Sequence, residues 1–185
     1  MEQEVYMQGD ETNGQIIVLT GEGKGKTTAA LGMALRAIGH GLKVCMLQLI
    51  KGSTIVGELQ AAKRLAPDLE ITPLGEGFVS VNPESPNQKD VDAARRAWEV
   101  CKEKILSDKY ALVILDEINN AVAYGLLPVE EVAEVLNKRP KRLSIVLTGR
   151  GVHPQILAMA DLVTEMIELK HPYKTGRKAQ KGIEY

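Results

Sequence analysis

Cysteine is scarce in this chain of 185 residues: Cys45 and Cys101 are the only two, far apart and without CxxC spacing. That rules out a disulfide framework and leaves no thiolate pair for a zinc site. Both lie in apolar patterns, so they read as reduced core thiols in a reducing compartment. Charge of one sign is lacking too. The net charge is −1, which gives no global basic field, and no nucleic-acid partner is expected. No apolar run approaches membrane-spanning length, so no membrane partner is expected. The opening residues 1–14, MEQEVYMQGDETNG, carry neither the basic start nor the apolar core of a secretory signal. They read as a flexible arm, and the expected location is the cytoplasm. Internal repeats and low-complexity tracts are also lacking.

What remains is an ordinary globular composition, 44% hydrophobic and 25% charged, long enough for one domain over residues 15–185. QIIVLT (15–20), LKVCMLQLI (42–50), YALVILDE (110–117), LSIVLT (143–148) and LVTEMIEL (162–169) are short apolar runs, read as strands. Between them lie helical patterns over about 26–38, 57–65, 91–106, 118–124, 129–138 and 154–160. The first is apolar around most of its circumference, so burial on several sides is expected. In the third, Val91, Ala94, Trp98, Cys101 and Ile105 fall on one face, which makes Trp98 a core anchor. Residues 67–89 are rich in proline and weak in periodicity, and read as a long irregular segment. Continuous apolar strands alternating with helices imply a mostly parallel sheet covered on both faces. Ligands in such sheets sit beyond the carboxyl ends of the strands.

The chemistry-bearing residues fall at those ends. Thr20-Gly21-Glu22-Gly23-Lys24-Gly25-Lys26-Thr27 matches the phosphate-loop pattern G-x-x-x-x-G-K-[ST] except that threonine holds the first position. The glycines let backbone N–H groups turn toward anionic oxygens, and the following helix adds its N-terminal donors and dipole. Lys26 supplies a cation and Thr27 a hydroxyl for a magnesium ion. Thr28 continues the loop into the helix. Lys24 fits either a phosphate contact or a solvated position. Asp116 and Glu117 end an apolar strand, where a carboxylate suits a metal–triphosphate complex. Spacing does not decide which acid lies nearer the metal. Arg150, in TGRG, fits either a phosphate contact or a structural turn. Lys170, Lys174, Arg177, Lys178 and Lys181 form a basic run without an acid among them. It reads equally as a solvated tail or as a segment folded over an anionic ligand. The loop and its flanking elements imply an α/β, three-layer P-loop NTPase-like (RecA-like) fold.

From about residue 14 to the end, the chain resembles the P-loop type of ATP:corrinoid adenosyltransferase. The likeness rests on TGEGKGKTTAALGMALRAIGHG (20–41), QLIKG (48–52), LDEINNAVAYGLL (115–127), TGRG (148–151), ADLVTEM (160–166) and KHPYKTGRKAQKGIEY (170–185) taken in order. The resemblance implies attack by a cobalt(I) corrinoid on the ribose C5′ of ATP, with triphosphate leaving intact. ATP would be a co-substrate held in reverse orientation, with Mg2+ or Mn2+ on Thr27 and the acids, Glu117 first and Asp116 second. Lys26, Thr27 and Glu117 would then carry the catalysis, and Gly21–Thr28 with Arg150 would bind the nucleotide. Phe78 would border the corrinoid. Relatives often carry a Phe-x-Trp pair there, and Ser80 stands in place of the tryptophan. The family also implies a reduced flavoprotein as electron donor, and a homodimer. An ATP-hydrolysing switch is the competing reading, and Asp116-Glu117 is its best support.

Overall fold

The computed structural model describes residues 13–50, 56–75, 77 and 86–183. Six strands form one sheet: β1 (Ile16–Thr20), β2 (Val44–Gln48), β3 (Leu69–Pro73), β4 (Leu112–Asp116), β5 (Ser144–Thr148) and β6 (Leu162–Glu165). Their spatial order is β3-β2-β4-β5-β1-β6, and every pairing is parallel. Among the described residues six α-helices connect them: α1 (Lys26–Gly39), α2 (Gly57–Leu65), α3 (Gln88–Leu106), α4 (Ile118–Ala123), α5 (Val129–Lys138) and α6 (Pro154–Met159). This is the three-layer α/β arrangement expected from the alternation of apolar strands and helices.

Side chains alternate across the strands and divide the core in two. Leu19, Met46, Ile114 and Val146 meet Ala30 and Ala34 of α1 and Ala62 of α2. On the other face Val18, Leu47, Val113 and Ile145 meet α3, α4, α5 and α6, with Trp98 among them at 1% exposure. Cys45 and Cys101 are both buried and free. Burial pushes the Cys45 thiol up to about 12, which disfavours its thiolate.

Three expectations change. Residues 67–89 are not irregular throughout: Leu69–Pro73 forms β3, paired with β2 from Val44↔Leu69 to Gln48↔Pro73. Neighbouring prolines hid the apolar pair Leu69 and Ile71. Helix α3 begins at Gln88, where the Asn87 side chain accepts the Lys89 N–H at 2.9 Å. The last strand stops at Glu165, and all four of its residues are exposed. It is an edge strand, which needs fewer apolar neighbours.

Helix α1 also departs from its expected burial. Only Ala30 and Ala34 are buried, and Leu35 is 62% exposed. Two helices cover this face where four cover the other, so the far side of α1 opens outward. At the foot of the sheet, Gly14 donates to the Lys141 carbonyl and its own carbonyl accepts from Arg139.

Candidate active site

Five buried polar side chains occur among the described residues: Thr20, Gln48, Asp116, Asn119 and Thr148. Four of them are the last residues of β1, β2, β4 and β5, and Asn119 lies in the first turn of the helix after β4. Burying polar groups is costly unless they are bonded, so their grouping at one end of the sheet marks a site.

The loop between β1 and α1 begins the site. Gly21 has φ 93, and a Cβ there would lie 2.4 Å from the Met166 carbonyl oxygen. Gly25 has φ 115 and serves as the N-cap of α1. Both conformations exclude ordinary side chains. The Gly23 N–H donates to the Met166 carbonyl at 2.6 Å. Lys26 folds back, its Nζ donating to the carbonyls of Gly21 at 2.6 Å and Gly23 at 2.7 Å. Burial lowers the Lys26 ammonium below the usual lysine range, and the nearby Arg150 adds to this, against the opposing pull of Glu22 and Glu117.

The two acids separate in role. Asp116 is fully buried, and its Oδ1 accepts from Thr27 Oγ1 at 2.8 Å and from Thr148 Oγ1 at 2.7 Å. Its other oxygen lies 3.5 Å from the Gln48 amide nitrogen. Glu117 instead lines an open cavity of about 700 Å³. It has φ 67 and caps α4, and its N–H donates to Thr148 Oγ1 at 2.9 Å.

That cavity gathers most of the expected set: Glu22, Gly23, Lys24, Gly25, Lys26, Thr27, Thr28, Glu117 and Arg150. Gly21 and Asp116 sit behind it, holding Lys26 and Thr27 respectively. Arg150 pairs with the Glu22 carboxylate at 3.0 Å, and its own N–H donates to Asn120 Oδ1 at 3.0 Å. The chain around the basic run reaches the cavity through His171, Gly182 and Ile183, while none of the five cations Lys170, Lys174, Arg177, Lys178 and Lys181 lines it. Lys174 pairs with Glu168, which also lines it. Phe78 and Ser80 lie outside the described residues.

Sequence reasoning placed Gln48 and Thr148 at the carboxyl ends of strands, where ligands sit, but gave neither a role, and it gave none to Asn120. It also missed the apolar wall from Leu31, Leu35 and Ile38 of α1 to Ala61 and Leu65 of α2. The signal for that wall was present in the apolar circumference of α1, which faces a cavity rather than more protein.

Hydroxyl and carboxylate oxygens are hard donors. Thr27 with one or two carboxylates and phosphate oxygens is a set that suits Mg2+. Among the described residues no group of three His, Cys, Asp or Glu converges as a self-sufficient metal cage. A cation here fits only as part of a metal–phosphate complex.

Comparison with known proteins agrees with this arrangement. Residues 12–185 match the family described as ATP:corrinoid adenosyltransferase BtuR/CobO/CobP. A corrinoid adenosyltransferase of Escherichia coli is 42% identical over 178 residues, covering 96% of this chain and 89% of the relative. One of Pseudomonas aeruginosa is 38% identical over 182 residues, covering 98% and 89%. The corrinoid adenosyltransferase CobA of Salmonella typhimurium is 41% identical over 178 residues, covering 96% and 89%. With a loop, an acid pair and a cavity that fit a nucleoside triphosphate, and a match over nearly its whole length, this chain belongs to the ATP:corrinoid adenosyltransferase family.

Proposed function

We infer that the cavity holds ATP by its triphosphate, and that the chain transfers the 5′-deoxyadenosyl group to the cobalt of a reduced corrinoid in adenosylcobalamin formation. The observation that carries this reading is the convergence of Lys26, Thr27 and Glu117 on one cavity in a chain of this family. Cobalt(I) of the corrinoid substrate supplies an electron pair to C5′. The C5′–O bond breaks, and its pair departs with intact triphosphate. Cobalt(I) is itself the nucleophile, so no general base is needed.

The chain's own groups position and stabilise. Lys26 exchanges its two loop carbonyls for phosphate oxygens, and loop N–H groups turn to the same anion. Negative charge grows on the triphosphate as the bond breaks, and preorganised donors lower the barrier there. Asp116 keeps Thr27 oriented, and Thr27 and Glu117 would hold Mg2+, which would neutralise charge on the leaving group. Arg150 leaves Glu22 to reach phosphate. A reduced flavoprotein donates the electrons, the active form is a homodimer, and the enzyme works in the cytoplasm.

The test mixes the protein with MgATP and chemically reduced cobalamin without oxygen. An alkyl-cobalt spectrum with stoichiometric inorganic triphosphate is expected. ADP and phosphate in their place would establish the hydrolytic switch and sink the transferase reading.

A further inference from the structure

Thr148 ends β5 with 1% of its surface exposed, and it touches both members of the acid pair. The Glu117 N–H can only donate, so it fills a lone pair of Thr148 Oγ1, at 2.9 Å. The hydroxyl proton is thereby left for Asp116 Oδ1, at 2.7 Å. Thr27 donates to that same oxygen from α1, at 2.8 Å. One hydroxyl therefore links the β5 end to the carboxylate that holds Thr27 and to the peptide that sets Glu117.

That peptide needs holding. Glu117 has φ 67 and ψ 18, a left-handed conformation that is unfavourable for a residue with a Cβ. Such a turn persists only when its surroundings over-determine it. The bond to Thr148 fixes the plane of the peptide entering the turn, while the Ala121 N–H holds the Glu117 carbonyl on its other side at 3.1 Å. A satisfied buried hydroxyl alone would explain both contacts of Thr148. It does not explain why Thr148 also lines the cavity beside Glu117.

We propose that Thr148 is a positioning residue: its hydroxyl sets Asp116 and the Glu117 turn, and so governs how the site accepts a divalent cation with the triphosphate. This rests on the reading of the cavity as a nucleotide site. Thr148→Val removes the hydroxyl at constant shape, and Thr148→Ser keeps it. Two readouts separate positioning from bulk stability. One is the rise in thermal midpoint caused by ATP, measured in EDTA and again in Mg2+. The other is the adenosyl-transfer rate as a function of Mg2+.

Thr148→Val should keep the ATP shift in EDTA and lose most of the added shift in Mg2+. Its kcat should fall about 10- to 100-fold, the range for groups that orient metal ligands, and the Mg2+ concentration for half-maximal rate should rise. Thr148→Ser should stay within about threefold of the parent. If the valine variant does not fold, Thr148→Ala deletes the same hydroxyl without adding a methyl against Asp116, and the same outcomes apply. A valine or alanine variant with the parent's Mg2+ response overturns the proposal alone. So does a serine variant as impaired as valine, which would assign the effect to methyl packing. A parent protein with no ATP shift under either condition sinks the nucleotide reading, and the proposal with it.

Discussion

Glu70 and Asp116 are both carboxylates gripped by short hydrogen bonds at the sheet, and the two clusters end differently. Glu70, on β3, accepts from Lys104 at 2.6 Å on one oxygen and from Tyr110 at 2.6 Å on the other. Lys104 also donates to the Tyr110 hydroxyl at 3.3 Å. The triangle closes on itself and pins an edge strand to α3. None of its members lines the site cavity. The Asp116 cluster is the reverse. Its hydroxyls converge behind a cavity, while the neighbouring cation, Lys26, rests on main-chain carbonyls that an anion can replace. A closed cluster stabilises; a cluster whose cation has replaceable partners can bind.

The strongest way to break this contrast is Lys26→Ala. Adenosyl transfer should fall at least about 100-fold, the scale for losing one preorganised charge donor, while unfolding stays cooperative. Anaerobic formation of the alkyl-cobalt chromophore measures the rate, and near-normal turnover would contradict the role given to Lys26. Asp116→Asn should come next, with a loss of about 10- to 100-fold, because Thr27 and Thr148 lose a charged acceptor but keep a polar one. Steady-state kinetics would detect it, and an unchanged kcat would argue that Thr27 needs no such partner.

Titration sharpens the contrast. The Lys26 ammonium is lowered by burial and by Arg150, so it loses its proton at lower pH than an exposed lysine. ATP affinity, read calorimetrically across pH 7 to 10, should begin to fall below the ordinary lysine range. A flat profile would mean that this charge is not used. The smallest effect is Glu70→Gln. Its hydrogen bonds to Lys104 and Tyr110 hold the Glu70 carboxyl below the usual range. The group therefore adds stability above its unfolded value and loses it as pH falls through its folded value. With 40% of the side chain exposed, the substitution should cost only about 1 kcal/mol at neutral pH. Melting curves should converge with the parent's in acid, and turnover should not change. A loss of turnover would show that the closed cluster is not separate from the site.

The two clusters were not equally legible in sequence. Lys26, Thr27 and Asp116-Glu117 lie in contiguous patterns with known spacing, so a local reading finds them. Thr148 does not. It follows Asp116 by 32 positions, and only the strand order, which inserts β5 between β4 and β1, brings its hydroxyl between the acids and the loop. Glu70, Lys104 and Tyr110 are scattered across three elements, one of which, β3, was hidden among prolines. The apolar stripe of α1 was visible, but periodicity cannot tell a core from a cavity wall. The division between Asp116 and Glu117 needed the left-handed turn at Glu117, which no spacing announces.

The folded-back Lys26 has a kinetic consequence. Two carbonyls of its own loop occupy the ammonium when no anion is there, so they act as a built-in rival to whatever the cradle holds. In the reaction inferred here that rival weakens substrate and by-product alike, and the by-product is a highly charged polyphosphate that would otherwise dissociate slowly. A loop that can satisfy its own cation makes the return to an empty cradle easier, and so favours turnover over a dead-end complex.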